Sequence, residues 1–422
     1  MSLILSILIA WPMFGNNPEH TGFADIRFDN LELNKAWEFS LSSHIWRFTP
    51  HTSIWSSQAV VTEVNGKKVI YIGAYDQNLY CIDGSTGVEL WRFPTSGKVN
   101  HAPLIIDFGQ RKTLYFGSTD RTFYAVDARS GDKVWSYETL RWEYTLVEAV
   151  TSSPVGVKIG KQALVFVGFW NANRKSIKTI ELGEIFAFDA ESGRLLWRKK
   201  ISGSYLNSPA LTTIDTSLLL FVTTREGKVF SISAKDGDIV WEFTADGEIF
   251  SSPSIMDLEG STYLLFGTRF GSLYCLNARS GKEKWSCRVG HIIDSTPAIG
   301  VVGGRILLFF GSYDRCVYAV DGSCGKEVWR FPTGKYISAS AAVAESEDDL
   351  VVFINSLDDI IYALRGSDGK LLWKFQGGKR LWDYERRGES LWSSPIIYSI
   401  ADLPYVLYPC YDGKLYAFTE SE

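Results

Sequence analysis

Short runs in which β-branched and aromatic residues alternate with polar ones, each closed by Gly or Asp, recur along the whole chain: VIYIGAYD, TLYFGSTD, LVFVGFWN, LLFVTTRE, LLFGTRF, LLFFGSYD, VVFINSLD and YVLYPCYD. Alternation with a period of two marks a strand with one buried face, and nowhere does a helical apolar period persist beyond a turn or two. The chain is therefore expected to be all-β.

The runs recur at a fixed interval. Trp37 opens a series continued by Trp91, Trp135, Trp197, Trp241, Trp285, Trp329 and Trp373, of which the last seven end a Gly-x-x-x-Trp stretch. Five intervals are 44 residues; the other two, 54 and 62, are the same unit with insertions. In the sixth unit a strand LLFFGSYD (307–314) is followed by VYAVDG (317–322) and then GKEVWRF (325–331). Between the last two strands, DARSG (127–131), DAESG (189–193), SAKDG (233–237) and NARSG (277–281) read as type I turns. The closing Gly supplies the positive φ needed for the bulge that rejoins the hairpin. Four antiparallel strands per unit, repeated eight times, predict a single eight-bladed β-propeller. The carboxyl end KLYAFTESE (414–422) lacks a following Gly-x-x-x-Trp strand, and LNKAWEF (33–39) is an orphan fourth strand, so the two termini are expected to complete one blade between them.

The stretches GVELWRF, GDKVWSY, GRLLWRK, GDIVWEF, GKEKWSC, GKEVWRF and GKLLWKF resemble the tryptophan-docking motif of the pyrroloquinoline-quinone-like (PQQ-like) repeat family of eight-bladed propellers. The opening WPMFGNNPEHTG (11–22) is similar to the lead-in ahead of many of them. The resemblance implies an apolar segment and lead-in over residues 1–32 and the propeller over 33–422, with each indole stacked on a neighbouring blade's turn. Within the family the chain looks similar to the outer-membrane assembly lipoprotein branch. Function stays open, because the family spans quinone-dependent alcohol dehydrogenases, that assembly lipoprotein and many interaction modules.

Composition narrows the classes. The 422 residues include 15 Trp and 37 Gly but only 3 Met, and the net charge is −5. An acidic chain lacks the basic face that a nucleic-acid binder uses to neutralise phosphates. No run is long enough to span a membrane, and MSLILSILIA (1–10) is about half the length required. That segment resembles the apolar core of an export signal, though no Lys or Arg precedes it; the alternatives are a shortened signal or an apolar segment laid on the fold.

Function is sought where the units differ. The spacing from the repeating Trp to the Ser before the next inner strand is ordinarily 11, as from Trp241 to Ser252, but is 20 to Ser57, 18 to Ser153 and 21 to Ser394. A fourth insertion, FWNANRKSIKTIELG (169–183), separates the second and third strands of the third full unit. In a propeller these connections share one face, and insertions on one face mark a binding face. They carry Trp46, Trp55, Trp142, Trp170, Trp382 and Trp392, and nine basic residues against six acidic ones. Trp, Tyr and Arg dominate binding hot spots. The predicted binding residues are thus Trp46, Arg47, Trp55, Trp142, Tyr144, Trp170, Asn171, Arg174, Trp382, Tyr384, Arg386, Arg387 and Trp392. The competing reading is that Trp55 and Trp392 plug the channel while the other aromatics pack the long loops onto the blades.

Catalytic chemistry is faint. A quinone enzyme would need Ca²⁺ held by oxygens beside PQQ, for which Glu143, Asn171 and Asn173 are candidates on the right face without matching the enzymes' ligands, and no Cys-Cys pair occurs. No cofactor and no metal site are therefore expected. Asp76, Asp120, Asp314 and Asp412 fit turn caps better than metal ligands, and the five His (His20, His44, His51, His101, His291) have no metal spacing. Cys81 and Cys275 fall across the ring from each other, and Cys316 and Cys324 at opposite ends of one strand, so free thiols are expected, which favours a reducing cytoplasm. The sequence points to a non-catalytic propeller that binds a protein partner. A small-ligand or carbohydrate-binding propeller and a PQQ-dependent oxidoreductase are the alternatives.

Overall fold

The computed structural model describes residues 13–40, 58–139, 145–150, 152–173, 181–204, 206–347, 349–378, 393–410 and 412–421, and among these it contains strands and turns but no helix. The strands form eight separate sheets. Seven successive blades span 60–94, 104–138, 145–202, 210–244, 254–288, 298–332 and 342–376; the eighth joins 396–420 to the strand Leu33–Ser40. First strands of neighbouring blades touch one another, so the first strand of each blade is innermost.

Each unit repeats one device between its third and fourth strands. The register slips by one residue there, at Ser231/Ile232, Cys275/Leu276 and Ala319/Val320, and the Gly closing the turn has φ of 79° at Gly237, 69° at Gly281 and 70° at Gly325. The Trp that follows docks one blade onward. The Trp241 indole N–H donates to the Ala278 carbonyl at 2.9 Å, and its ring lies so close to Gly281 that a Cβ there would sit 2.8 Å from Cδ2. The same contact runs from Trp37 on Gly87, through Trp91, Trp135, Trp197 and Trp285, to Trp329 on Gly369. Trp373 meets the closing blade and donates to the Leu33 carbonyl at 3.2 Å instead.

A second ring of contacts lies nearer the axis and explains the Ser that precedes each inner strand. The Ala102 amide donates to Ser153 Oγ and the Ser153 amide to Ser208 Oγ, each at 3.0 Å; likewise the Thr296 amide donates to Ser340 Oγ and the Ser340 amide to Ser394 Oγ. The hydroxyl satisfies a backbone donor of the preceding blade that no strand partner reaches.

The termini close the ring. Leu33–Ser40 pairs antiparallel with Lys414–Glu420, placing Trp37 opposite Ala417. The Glu420 carboxylate accepts the amides of Asp29 at 3.3 Å and Asn30 at 2.5 Å.

The lead-in does more than the sequence suggested. The carbonyls of Pro18, Glu19, Thr21 and Gly22 accept the amides of Leu211, Ile255, Ile299 and Val343 in turn, each at 2.8 Å, so five residues bind the inner strands of blades 4, 5, 6 and 7. Met13 joins the apolar cluster of blades 2, 3 and 4, Phe14 packs on that of blades 1 and 2, and the Gly15 amide donates to Gln58 Oε1 at 2.9 Å. The chain then enters blade 7 as a fifth strand, Phe23–Phe28, parallel to the inner strand Ala342–Ser346. That blade is therefore mixed rather than purely antiparallel.

Blade 3 departs as well. Its second and third strands run long, Gln162–Asn173 and Glu181–Asp189, and a further strand Thr145–Val150 pairs with the extension of the first of them. Part of two expected loop insertions is thus a three-stranded extension of the blade. The alternating TLVEAV run carried that signal.

Candidate functional site

Three insertions join an outer strand to the next inner strand, and the fourth joins a second to a third strand; antiparallel pairing puts all of these connections at one edge of their blades. Trp46, Arg47, Trp55, Trp142, Tyr144, Arg174, Trp382, Tyr384, Arg386, Arg387 and Trp392 lie outside the described residues, as does Glu143. Trp170 and Asn171 are on the extended strand Gln162–Asn173, where Trp170 stands opposite Ala149 and Gly183, and Asn171 opposite Glu148 and Leu182. The insertions cluster at the junctions of blades 7 and 8, 8 and 1, and 2 and 3.

The remaining arc of the same face, over blades 4 to 7, carries only short connections and exposes a cluster that composition did not reveal. The Arg269 guanidinium lies 3.7 Å from the Phe250 ring centroid and donates through Nε and Nη2 to Asp294 at 3.2 and 3.0 Å. The Asp294 side chain is wholly buried and also accepts the Tyr313 hydroxyl at 2.9 Å. Burial raises its carboxyl pKa, and Arg269 and Tyr313 pull back against that rise. Arg225 reaches over the same Phe250 ring at 5.6 Å and pairs loosely with Glu248 at 3.4 Å. Tyr313 stacks on Tyr336 at 4.7 Å and on His291 at 6.3 Å, and Phe270 is 60% exposed. Arg225, Arg269 and Tyr313 occupy one repeat position in blades 4, 5 and 6. Phe250 and Asp294 share another, 44 residues apart. A position-by-position comparison of the units could have found the cluster.

Elsewhere the candidate chemistry resolves into structure. Asp120, Asp314 and Asp412 each accept the amide two residues on at 3.0 Å, and Asp76 does so at 3.2 Å, while Tyr80, Tyr124, Tyr318 and Tyr416 donate their hydroxyls to the same carboxylates. Among the described residues no three His, Cys, Asp or Glu are grouped to hold a metal. All six cysteines are free, and burial pushes the thiols of Cys81, Cys275 and Cys410 up to about 12, far from a reactive thiolate. His20 and His101 are held down to about 4 by burial.

The lead-in lies against the inner strands near the same edge of the blades, where the carbonyls of Pro18, Glu19, Thr21 and Gly22 take the inner-strand amides of blades 4 to 7.

A family model described as outer membrane protein assembly factor BamB matches residues 34–169, 181–259 and 255–380. No curated protein matches the chain. Among solved structures it is similar to a quinohemoprotein alcohol dehydrogenase of Pseudomonas putida, at 13% identity and TM-score 0.71 over 98% of this chain and 81% of that one. It is also similar to BamB of Moraxella catarrhalis, at 14% identity and TM-score 0.56 over 92% and 100%. Sqt1 of Saccharomyces cerevisiae aligns at 11% identity and TM-score 0.66 over 94% and 100%. At such identities the likeness is one of fold, and enzymes stand among the neighbours beside BamB.

Proposed function

Because this chain belongs to the family of the outer membrane protein assembly factor BamB, whose PQQ-like repeats it shares, we propose that it is a non-catalytic scaffold that binds a protein partner. Residues 33–422 act as one rigid propeller domain, and the aromatic- and Arg-rich insertions of one face are its binding surface. One observation carries the reading: four insertions in a chain of eight near-identical units all attach at the same edge of their blades, and they gather six of the seven tryptophans not used between blades. A repeat that needed only to close a ring would have no reason to distribute its longest loops and its spare indoles this way. Trp, Tyr and Arg are suited to such a surface, since each buries much area for few frozen torsions and keeps a hydrogen-bonding group.

A tagged wild-type chain and a variant with Trp46, Trp382 and Arg386 replaced by Ala are to be compared by affinity capture from native lysate and by thermal melting. The expected outcome is a partner held by wild type and lost by the variant at a nearly unchanged Tm. A large fall in Tm would assign these residues to loop packing, and undiminished capture would remove the insertions from the interface.

A further inference from the structure

We propose that Phe270, displayed where the repeat calls for a turn-capping Asp, is a second anchor of the same docking face. Together with the carboxylates around it, the ring takes a basic segment of the partner, a Lys or Arg beside an apolar residue. The inference rests on the protein-binding reading above and names the partner's chemistry.

The repeat position of Phe270 has a structural duty in other blades. At the same place in the next two, Asp314 and Asp358 accept the amides of Cys316 and Ile360 at 3.0 and 3.1 Å and the hydroxyls of Tyr318 and Tyr362 at 2.5 and 2.7 Å. In blade 5 that duty has moved to neighbours. The Ser272 amide donates to Thr268 Oγ1 at 3.2 Å, and Asp246, from the preceding connection, accepts the hydroxyls of Thr268 at 3.0 Å and Ser272 at 2.5 Å. Tyr274 also lies beside Asp246, which adds to the rise that burial gives its hydroxyl pKa. The fold thus needs no cap from residue 270 and leaves its ring 60% exposed, the only exposed Phe among the described residues. Unlike the Asp it replaces, a phenyl ring in water gains from being covered.

Its surroundings favour a cation. The ring packs over Gly247, where a Cβ would lie 2.9 Å from Phe270 Cγ, and so sits between the chain positions of Asp246 and Glu248, both exposed. Glu226 holds the same repeat position one blade earlier and is exposed as well. The neighbouring arginines are engaged. Arg269 grips the buried Asp294 through Nε and Nη2, Arg288 Nε donates to the Phe270 carbonyl at 3.2 Å, and Arg225 reaches Glu248 at 3.4 Å. With Arg269 and Asp294 cancelling, the exposed carboxylates of Glu226, Asp246 and Glu248 outnumber Arg225 and Arg288, so a basic segment meets complementary charge. A quaternary-ammonium ligand, the alternative occupant, needs a cage of several open rings. Here Arg269 caps Phe250 while Tyr313 and Tyr336 cover each other. One open ring beside carboxylates suits the apolar stem and charged head of Lys or Arg.

The test uses the full chain and a displayed library of random dodecapeptides, selected in parallel on wild type, on Phe270→Asn, on Glu248→Lys, and on the Trp46, Trp382 and Arg386 to Ala variant. Asn is neutral and caps a turn as Asp does, so Phe270→Asn removes the ring without adding charge. Both single substitutions are at exposed side chains and leave the pair of Arg269 and Asp294 intact. Peptides that place Lys or Arg beside an apolar or aromatic residue are expected from wild type. They should bind each single variant about tenfold or more weakly, through loss of the ring in one and a reversed charge in the other, and keep their affinity for the loop variant. A preference for basic peptides that came only from the net charge of −5 would survive Phe270→Asn and overturn the proposal, as would selected peptides without Lys or Arg. Peptides lost only on the loop variant would sink this anchor while leaving the insertion face standing. Circular dichroism melts guard against misfolding, and Phe270→Tyr, which keeps the ring, should retain the binding.

Discussion

His20 shows how much a single residue of the lead-in contributes. It is buried, its φ is 55°, and its Nδ1–H donates to the Pro253 carbonyl at 2.9 Å. Burial lowers its pKa from 6.5 to about 4, so the folded chain refuses a proton that the unfolded chain accepts. The stabilisation is therefore complete above pH 6.5 and is lost as the pH falls towards 4, by about 3 kcal/mol in all. His20→Asn keeps a residue that tolerates the left-handed region and removes the titration. Plotted against pH between 7 and 4, the melting temperature of this variant should fall less steeply than that of wild type; parallel curves would mean that His20 is accessible to protons in the fold. At this scale the sequence was informative wherever a residue repeats. Seven of the eight spaced Trp rest on a Gly turn of the next blade, Trp373 meets the closing strand instead, and Asp76, Asp120, Asp314 and Asp412 accept the amide two residues on. Arg269, Phe250 and Asp294 share no local motif, so only a comparison of the same positions across units, 44 residues apart, could have singled them out.

The element that repeats is the turn on which an indole rests, and two glycines separate its components. Gly281 has φ of 69° and receives Trp241, whereas Gly260 has φ of 74° and nothing within 4 Å of the place a Cβ would take. Gly260→Ala should cost about 1 to 2 kcal/mol for the left-handed backbone alone. Gly281→Ala bears the same strain and must also displace the ring, for a total of about 3 kcal/mol or more. Urea unfolding of the two variants measures the difference, and equal losses would show that the indole contact contributes little. The strands of ordinary blades were legible in the sequence because alternation and turn chemistry agree. Blade 3 was not fully legible. Its inserted residues read as loop, yet Thr145–Val150 and the ends of two long strands pair above the blade, since strand pairing needs only a partner edge within reach and the extended hairpin supplies one.

At the scale of the whole molecule, two N-terminal segments stabilise the ring by different means. Leu33–Ser40 closes it at the circumference, and residues 18–22 join the inner strands of blades 4 to 7 through four backbone carbonyls. The inner-strand amides of Leu211, Ile255, Ile299 and Val343 find their acceptors in the lead-in, on the edge of each inner strand away from its second strand, so the lead-in supplies acceptors that the repeat does not. A buried amide deprived of its acceptor costs about 1 to 3 kcal/mol unless water replaces it. In a chain beginning at Phe23, those four amides should exchange with solvent deuterium at least about tenfold faster. Protection of the amides in Leu33–Ser40 should be unchanged, because circumferential closure does not depend on the axial segment. Native-state exchange read by mass spectrometry after electron-transfer fragmentation resolves the two sets. Unchanged protection at the four amides would mean that the blades close over the vacated axis. Equal acceleration everywhere would make the lead-in the keystone of the ring.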